Sequence, residues 1–349
     1  MLNPAAITER ISRYTSLYTD TITNMPVAII MPHSACNCRC IMCDIWKGNR
    51  NLKQLSTADI EVLLISLDKL KTKQVLLSGG EALMHPLFFE YTTLLRSHGM
   101  FVSLLSTGMT VEKHAGRLVE SVNEIILSLD GDEELHDGIR NVPGAFEKIR
   151  QGVKSLKQHD PAFSVSARTV IHRLNFRSWK NIITSAAHLG FDRISFLPAD
   201  TSSTAFNREV AWDADRVADL CLHEDELDEL FTIIEDIIAA HGKSGFIAES
   251  PAKLRQIGQY YAAQHALALY PARMCNAPWV SVVVEADGTV KPCFFHSSIG
   301  NIHHDPLDRI VNSPAAKRFR KQLDMSADET CKRCVCSLYL HPGTKIATS

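Results

Sequence analysis

Four cysteines within eight residues, Cys36-Asn37-Cys38-Arg39-Cys40-Ile41-Met42-Cys43, constrain this chain more than any other stretch of it. Thiols at that density call for a metal. Cys36, Cys40 and Cys43 are separated by three and then two residues, so a tight loop can turn three thiolates toward one iron-sulfur cube. A cube has four irons, and three protein ligands leave one iron open to a chelating small molecule. An electron-transfer site with four cysteines has no such opening. Cys38 falls outside the triad and reads as a small filler of the loop. Zinc also binds closely spaced cysteines, and stands here as the alternative metal.

Composition narrows the classes. The chain has 349 residues, 45% hydrophobic and 22% charged, with a formal net charge of -2. That is ordinary globular composition with no basic footprint for nucleic acid. No apolar run approaches the roughly 20 residues of a bilayer span, and the N-terminus lacks the charged-then-apolar order of a secretory signal. The expectation is a cytoplasmic protein with no membrane partner. Ten cysteines in a reducing compartment point to metal or redox chemistry more than to disulfides.

Ile7, Ile11, Tyr14, Tyr18 and Ile22 recur at helical spacing, predicting an N-terminal helix over 1–25 that packs on the main domain. The proline-bounded apolar run from Met25 to Pro32 predicts a buried strand that delivers the cysteine loop. Helices near 57–70, 86–98, 110–119, 143–157 and 176–189 alternate with strands 74–78, 101–106, 124–129, 163–171 and 193–197. With the first strand this makes six βα-type strands and a parallel sheet. Residues 199–222 read as a loop at the mouth. Helical periodicity returns over 223–241 and near 251–268, bridging to a second domain from about 271.

The cysteine spacing resembles that of the radical S-adenosylmethionine (SAM) superfamily, from about Pro26 to the end of the chain. The resemblance implies an α/β fold, a partial (β/α)6 TIM-like barrel with its chemistry at the C-terminal ends of the strands. It also implies that the open iron binds S-adenosylmethionine, whose reductive cleavage gives a 5'-deoxyadenosyl radical that abstracts a hydrogen atom. A flavodoxin- or ferredoxin-type protein would supply the electron. Gly79, Gly80 and Glu81, after the second strand, resemble the element that binds the methionine amine. Ser106-Thr107-Gly108 resembles the family's Thr-Asn-Gly turn without its asparagine. Ser128 and Asp130 resemble the ribose-binding segment of the fourth strand, with His136, Asp137 and Arg140 read as a polar network capping the next helix. Arg168 on the fifth strand would meet the methionine carboxylate, and Leu197 on the sixth would pack on adenine. Met42 stands where the family often has an aromatic.

Cys275 and Cys293 flank an expected hairpin, Trp279 to Glu285 and Thr289 to Phe294, turned at Ala286-Asp287-Gly288. With Cys331, Cys334 and Cys336 they resemble the SPASM and twitch domains that follow many radical SAM barrels. Four thiolates there fit a cluster or zinc. The resemblance favours an auxiliary 4Fe-4S cluster in a small C-terminal twitch (half-SPASM) domain over 271–349. Cys275, Cys293, Cys331 and Cys334 would be its ligands, and Cys336 could replace Cys331 or Cys334. The boundaries expected are a barrel over 26–222 and bridging helices over 223–270.

The function expected is a radical SAM oxidoreductase acting on a small molecule such as a sugar or nucleoside, with the auxiliary cluster accepting an electron. The alternatives are an epimerase using Cys221 or Cys336 as thiol donor, a peptide-modifying maturase, and a non-enzymatic electron carrier or sensor.

Overall fold

The computed structural model describes residues 4–208, 210–242 and 244–346, with side chains from Ile7 onward. Its centre is β1 (Val27–Ile30), whose Ala28 and Ile30 are fully buried because strands lie on both its edges. The other strands are β2 (Gln74–Leu77), β3 (Phe101–Ser106), β4 (Glu124–Ser128), β5 (Ser164–Ile171), β6 (Arg193–Pro198), β7 (Ser281–Val284), β8 (Thr289–Lys291) and β9 (Gly300–Asn301). They form one sheet in the order β6-β5-β4-β3-β2-β1-β7-β8-β9. Neighbours from β6 to β1 are all parallel, as are β1 and β7, whereas β7, β8 and β9 run antiparallel. Parallel neighbours need crossovers, and helices Thr57–Lys69, Phe88–Ser97, Val111–Ser121, Ala145–His159 and Trp179–Leu189 supply them.

Period-two burial divides each strand. On β5, Val165, Ala167, Thr169 and Ile171 are buried while Ser166, Arg168 and Val170 are only half-buried. Val165, Ala167 and Ile171 share the main core with Ile149, Val153, Leu156 and Ile182 of the covering helices. The half-buried set is left on the other face, where a ligand can reach it. The free edge of β6 is blocked: Ile194 pairs with Ile247, and the Phe196 amide donates to Glu249 Oε2 at 3.0 Å. No helix among the described residues is long and apolar enough to cross a membrane.

Three expectations are corrected. The leading helix (Pro4–Thr19) turns its apolar stripe outward, with Ile11 59% and Tyr18 83% exposed. It is anchored instead by buried Arg13, which donates to Asn24 Oδ1 and the Thr344 carbonyl. A helix not read from the sequence spans Glu133–Arg140, and the mouth segment contains another, Ala214–Leu220. Trp279 lies in a helical turn (Ala277–Val280), so the hairpin starts at Ser281. The C-terminal hairpin shares the barrel sheet, β7 continuing it through β1.

Candidate active site: two cysteine sets at the strand ends

The Met31 amide donates to the Val284 carbonyl at 2.8 Å, and from there the chain enters the cysteine loop. Backbone hydrogen bonds set the loop's path. Asn49 brackets Cys36, its side chain accepting from the Cys36 amide and donating to the Cys36 carbonyl, both at 2.9 Å. The amides on either side of Cys40 donate to the end of helix Glu133–Arg140: Arg39 to the Arg140 carbonyl (3.0 Å) and Ile41 to the Ile139 carbonyl (3.1 Å). Helix ends leave such carbonyls without internal partners. Cys43 Sγ accepts from the Ile45 amide at 3.5 Å.

All ten cysteines are free. Burial pushes the Cys36 thiol up to about 12 and the Cys43 thiol up to about 11. Cys40 is shifted the other way, because Cys38 donates to it and the Arg140 guanidinium faces it. Buried thiolates ask for positive charge, which the irons of a cluster bring, so the donor set fits the group. Cys38 is fully buried and is a hydrogen-bond partner of Cys40 as well as a filler.

Gly79 and Gly80 bring the end of β2 against this loop. Gly79 has φ +113°, and a Cβ on Gly80 would lie 2.1 Å from the Ala35 carbonyl oxygen. Only glycine permits that approach. Glu81 is fully buried, and burial raises its carboxyl against the lowering effect of its hydrogen bonds. Its Oε2 accepts from the Thr107 amide (2.7 Å) and the Ser106 hydroxyl (3.0 Å), and its Oε1 from the Leu83 amide (3.1 Å). The Thr107 hydroxyl lies 2.7 Å from both Glu81 Oε2 and Asn37 Oδ1. Through these bonds Glu81 joins three strand-end loops.

Ser128, Arg168 and Ser195 are cross-strand neighbours in one row, followed by the pair Val170 and Leu197. Arg168 Nε donates to Ser195 Oγ at 3.2 Å. Asp130 is fully buried, accepts from the Val170 amide and is ion-paired with Arg140. Asp137 does cap the next helix, accepting from the Gly144 and Phe146 amides. Met42 is buried beside Cys38, Cys40, Ile139 and Leu220.

The mouth supplies residues that spacing did not reveal. Asp44, next to the triad, accepts from Arg216 (2.6 Å) and Trp212 Nε1 (2.8 Å) and pairs with Lys47 (3.0 Å). Burial alone would raise its carboxyl, but these partners hold it below the usual range. The Arg208 and Arg216 guanidiniums both lie over the Trp212 ring, at 3.8 and 4.1 Å from its centroid. Buried Arg208 pairs with Asp200 at 3.0 Å. No local signal could have found the ties of Asp44 to Trp212 and Arg216, because those partners lie more than 160 residues from it in sequence.

Two cavities adjoin the second cysteine set. One of about 340 Å³ lies between Asp200, Ser202, Ser203 and Thr204 on one side and Phe295, Arg333 and Cys334 on the other. The second, about 170 Å³, is lined by Arg168, Leu197, Glu249, Arg273 and Cys336. Cys221 lines neither; it is buried near the Thr201 hydroxyl, and burial raises its thiol.

Asn276 holds the second set together. It bonds to the backbone of Leu338 and Leu340 at 2.8–2.9 Å, which ties the tail after Cys336 to the segment of Cys275. Cys293, Cys331 and Cys334 each feel the charge of Cys275. Cys334 Sγ accepts from the Cys336 amide at 3.4 Å, the same two-residue relation that Cys43 has with Ile45. Asp328 caps the turn Glu329–Lys332 by accepting from the Cys331 amide, and His296 Nε2 sits 3.4 Å from Cys331 Sγ. Sequence reading missed His296, which lies three residues after Cys293.

Comparison with known proteins agrees with both sets. Residues 30–186 match the model of the radical SAM superfamily, and residues 275–335 match that of the SPASM iron-sulfur cluster-binding domain. The chain is 23% identical over 331 residues to Fe-coproporphyrin III synthase of Methanosarcina barkeri, covering 88% of this chain and 80% of that one. It is 23% identical over 316 residues to the subtilosin biosynthesis protein AlbA of Bacillus subtilis, covering 86% and 62%. To the mycofactocin maturase MftC of Mycobacterium tuberculosis it is 25% identical over 307 residues, covering 85% and 73%. In fold it resembles Streptococcus suis SuiB bound to the precursor peptide SuiA, with TM-score 0.66, 14% identity, and 97% and 78% coverage. With a radical SAM segment around the first cysteine triad and a SPASM segment around the second set, the chain belongs to the radical SAM superfamily.

Proposed function

We propose that this enzyme modifies a peptide or protein side chain by hydrogen-atom abstraction, with the auxiliary cluster taking up the electron left over. The observation that carries this is the 340 Å³ cavity, which Cys334 lines on one side and the mouth loop from Asp200 to Thr204 on the other. A side chain entering it would stand beside the auxiliary ligands. Two of the relatives are a mycofactocin maturase and a protein of bacteriocin biosynthesis, which supports a peptide over the sugar or nucleoside expected from sequence.

When bound, S-adenosylmethionine and the triad's cluster supply the radical; the chain's residues aim it. Cys36, Cys40 and Cys43 would hold the first cube, and Cys275, Cys293, Cys331 and Cys334 the auxiliary one. Backbone at Gly79 and Gly80 would receive the methionine amine, Arg168 its carboxylate, Ser128 the ribose and Leu197 the adenine. Arg216 ties the mouth segment to the triad's loop through Asp44, and Arg208 braces that segment internally through Asp200. An electron donor of flavodoxin or ferredoxin type completes the reading.

A tetrapyrrole is the second reading, favoured by the Fe-coproporphyrin III synthase relative. One experiment separates them. Anaerobic, reduced enzyme with S-adenosylmethionine is given peptides encoded beside its gene, or Fe-coproporphyrin III. A peptide product lighter by a pair of hydrogens, read by mass spectrometry, is expected. Turnover of the porphyrin alone would overturn the peptide reading.

A further inference from the structure

The buried Arg140 has a place that helix capping does not explain. Its guanidinium is ion-paired with the fully buried Asp130 on one side and donates to Cys40 Sγ at 3.4 Å on the other. Its own carbonyl, with that of Ile139, receives the amides flanking Cys40. Asp130 is held in turn by the Val170 amide (3.1 Å), and its own amide donates to His136 Nδ1 (3.1 Å). A charge buried this deeply is costly unless paired and hydrogen-bonded, so the arrangement is over-determined around one sulfur.

We infer that Arg140 is a positioning residue for the first cluster, fixing Cys40 and raising the cluster's reduction potential through a charged N–H···S hydrogen bond. The inference rests on the triad holding the cluster. A cube bound by three thiolates gains negative charge on reduction, and hydrogen bonds to sulfur and nearby positive charge favour that gain. None of the cysteines of the second set belongs to this network, so the effect is specific to the triad's cluster.

The test is a redox titration of reconstituted enzyme followed by electron paramagnetic resonance. The triad's cluster is identified as the signal that changes on adding S-adenosylmethionine, and the auxiliary cluster serves as internal control. Arg140→Gln keeps the backbone carbonyl contacts and removes the charge. The triad potential should fall enough to lower the reduced-to-oxidised ratio at fixed donor about tenfold, about 59 mV for one electron. The auxiliary potential should not move. Arg140→Lys keeps the charge and should restore part of the shift. If the Gln variant cannot hold the triad's cube while the Lys variant can, by iron count at unchanged far-ultraviolet circular dichroism, the same conclusion follows. An unmoved triad potential in Arg140→Gln, an equal shift in both clusters, or loss of the cube in both variants would overturn it.

Discussion

At the scale of single residues, the site is built from groups with one permitted identity. Gly80 is the sharpest case. A methyl group there would meet backbone atoms of Ser34 and Ala35 at 2.1–2.8 Å, and backbone cannot rotate away. Gly80→Ala is therefore expected to lose the triad's cube and keep the auxiliary one, giving about four irons per chain in place of about eight by iron assay. The auxiliary ligands admit a similar test. Cys334 accepts an amide hydrogen bond as Cys43 does, whereas the side chain of Cys336 is exposed. Cys334→Ala should lose the auxiliary cluster's spectrum and Cys336→Ala should retain it. Cys221→Ala should leave turnover intact, because that thiol is buried away from both cavities. The triad, the paired glycines and the row through Arg168 were legible in sequence because each lies within a few residues of a strand end. Asp44, Arg208, Arg216 and His296 were not, since their partners are set by the fold. The partners of Asp130 and Glu81 were hidden for a related reason: a carboxylate at a strand end faces inward or outward according to neighbours that periodicity does not report.

At the scale of elements, most of the barrel followed from alternation of period two and period 3.6, and the strands fall within a residue or two of expectation. Helix Glu133–Arg140 escaped because it is short and its first turn is acidic rather than apolar. Its start is set by Asp132, whose side chain accepts from the Leu135 amide at 3.3 Å. Removing that cap in Asp132→Ala should cost about 1 kcal/mol. Because the far end of the helix receives the Arg39 and Ile41 amides, the loss should reach the cysteine loop. Hydrogen exchange followed by mass spectrometry should detect faster exchange in 36–43 as well as in 133–140. A change confined to the helix would mean that the loop is held by its metal alone. The leading helix teaches the converse lesson: a regular apolar stripe predicted the element and mispredicted its face, because one buried arginine outweighed it.

At the scale of the whole molecule, one sheet runs across the boundary expected at 271. β1 holds β2 on one edge and β7 on the other, each over four residue pairs. A chain ending at 270 would bare the second edge of its most buried strand, and unpaired edges of apolar strands recruit other chains. Such a truncation is expected to elute as aggregates in gel filtration under conditions where the full chain does not; a monomeric product would count against the continuity described here. The two thiol sets stand toward opposite ends of strands that share hydrogen bonds: the triad follows the C-terminal end of β1, whereas Cys275 precedes β7 and Cys293 follows the antiparallel β8 at the other end. The sheet therefore acts as a ruler. Whatever is held between the sets is measured against a fixed span, so the position that reacts along a substrate is decided partly by β1 and β7, which touch no substrate at all.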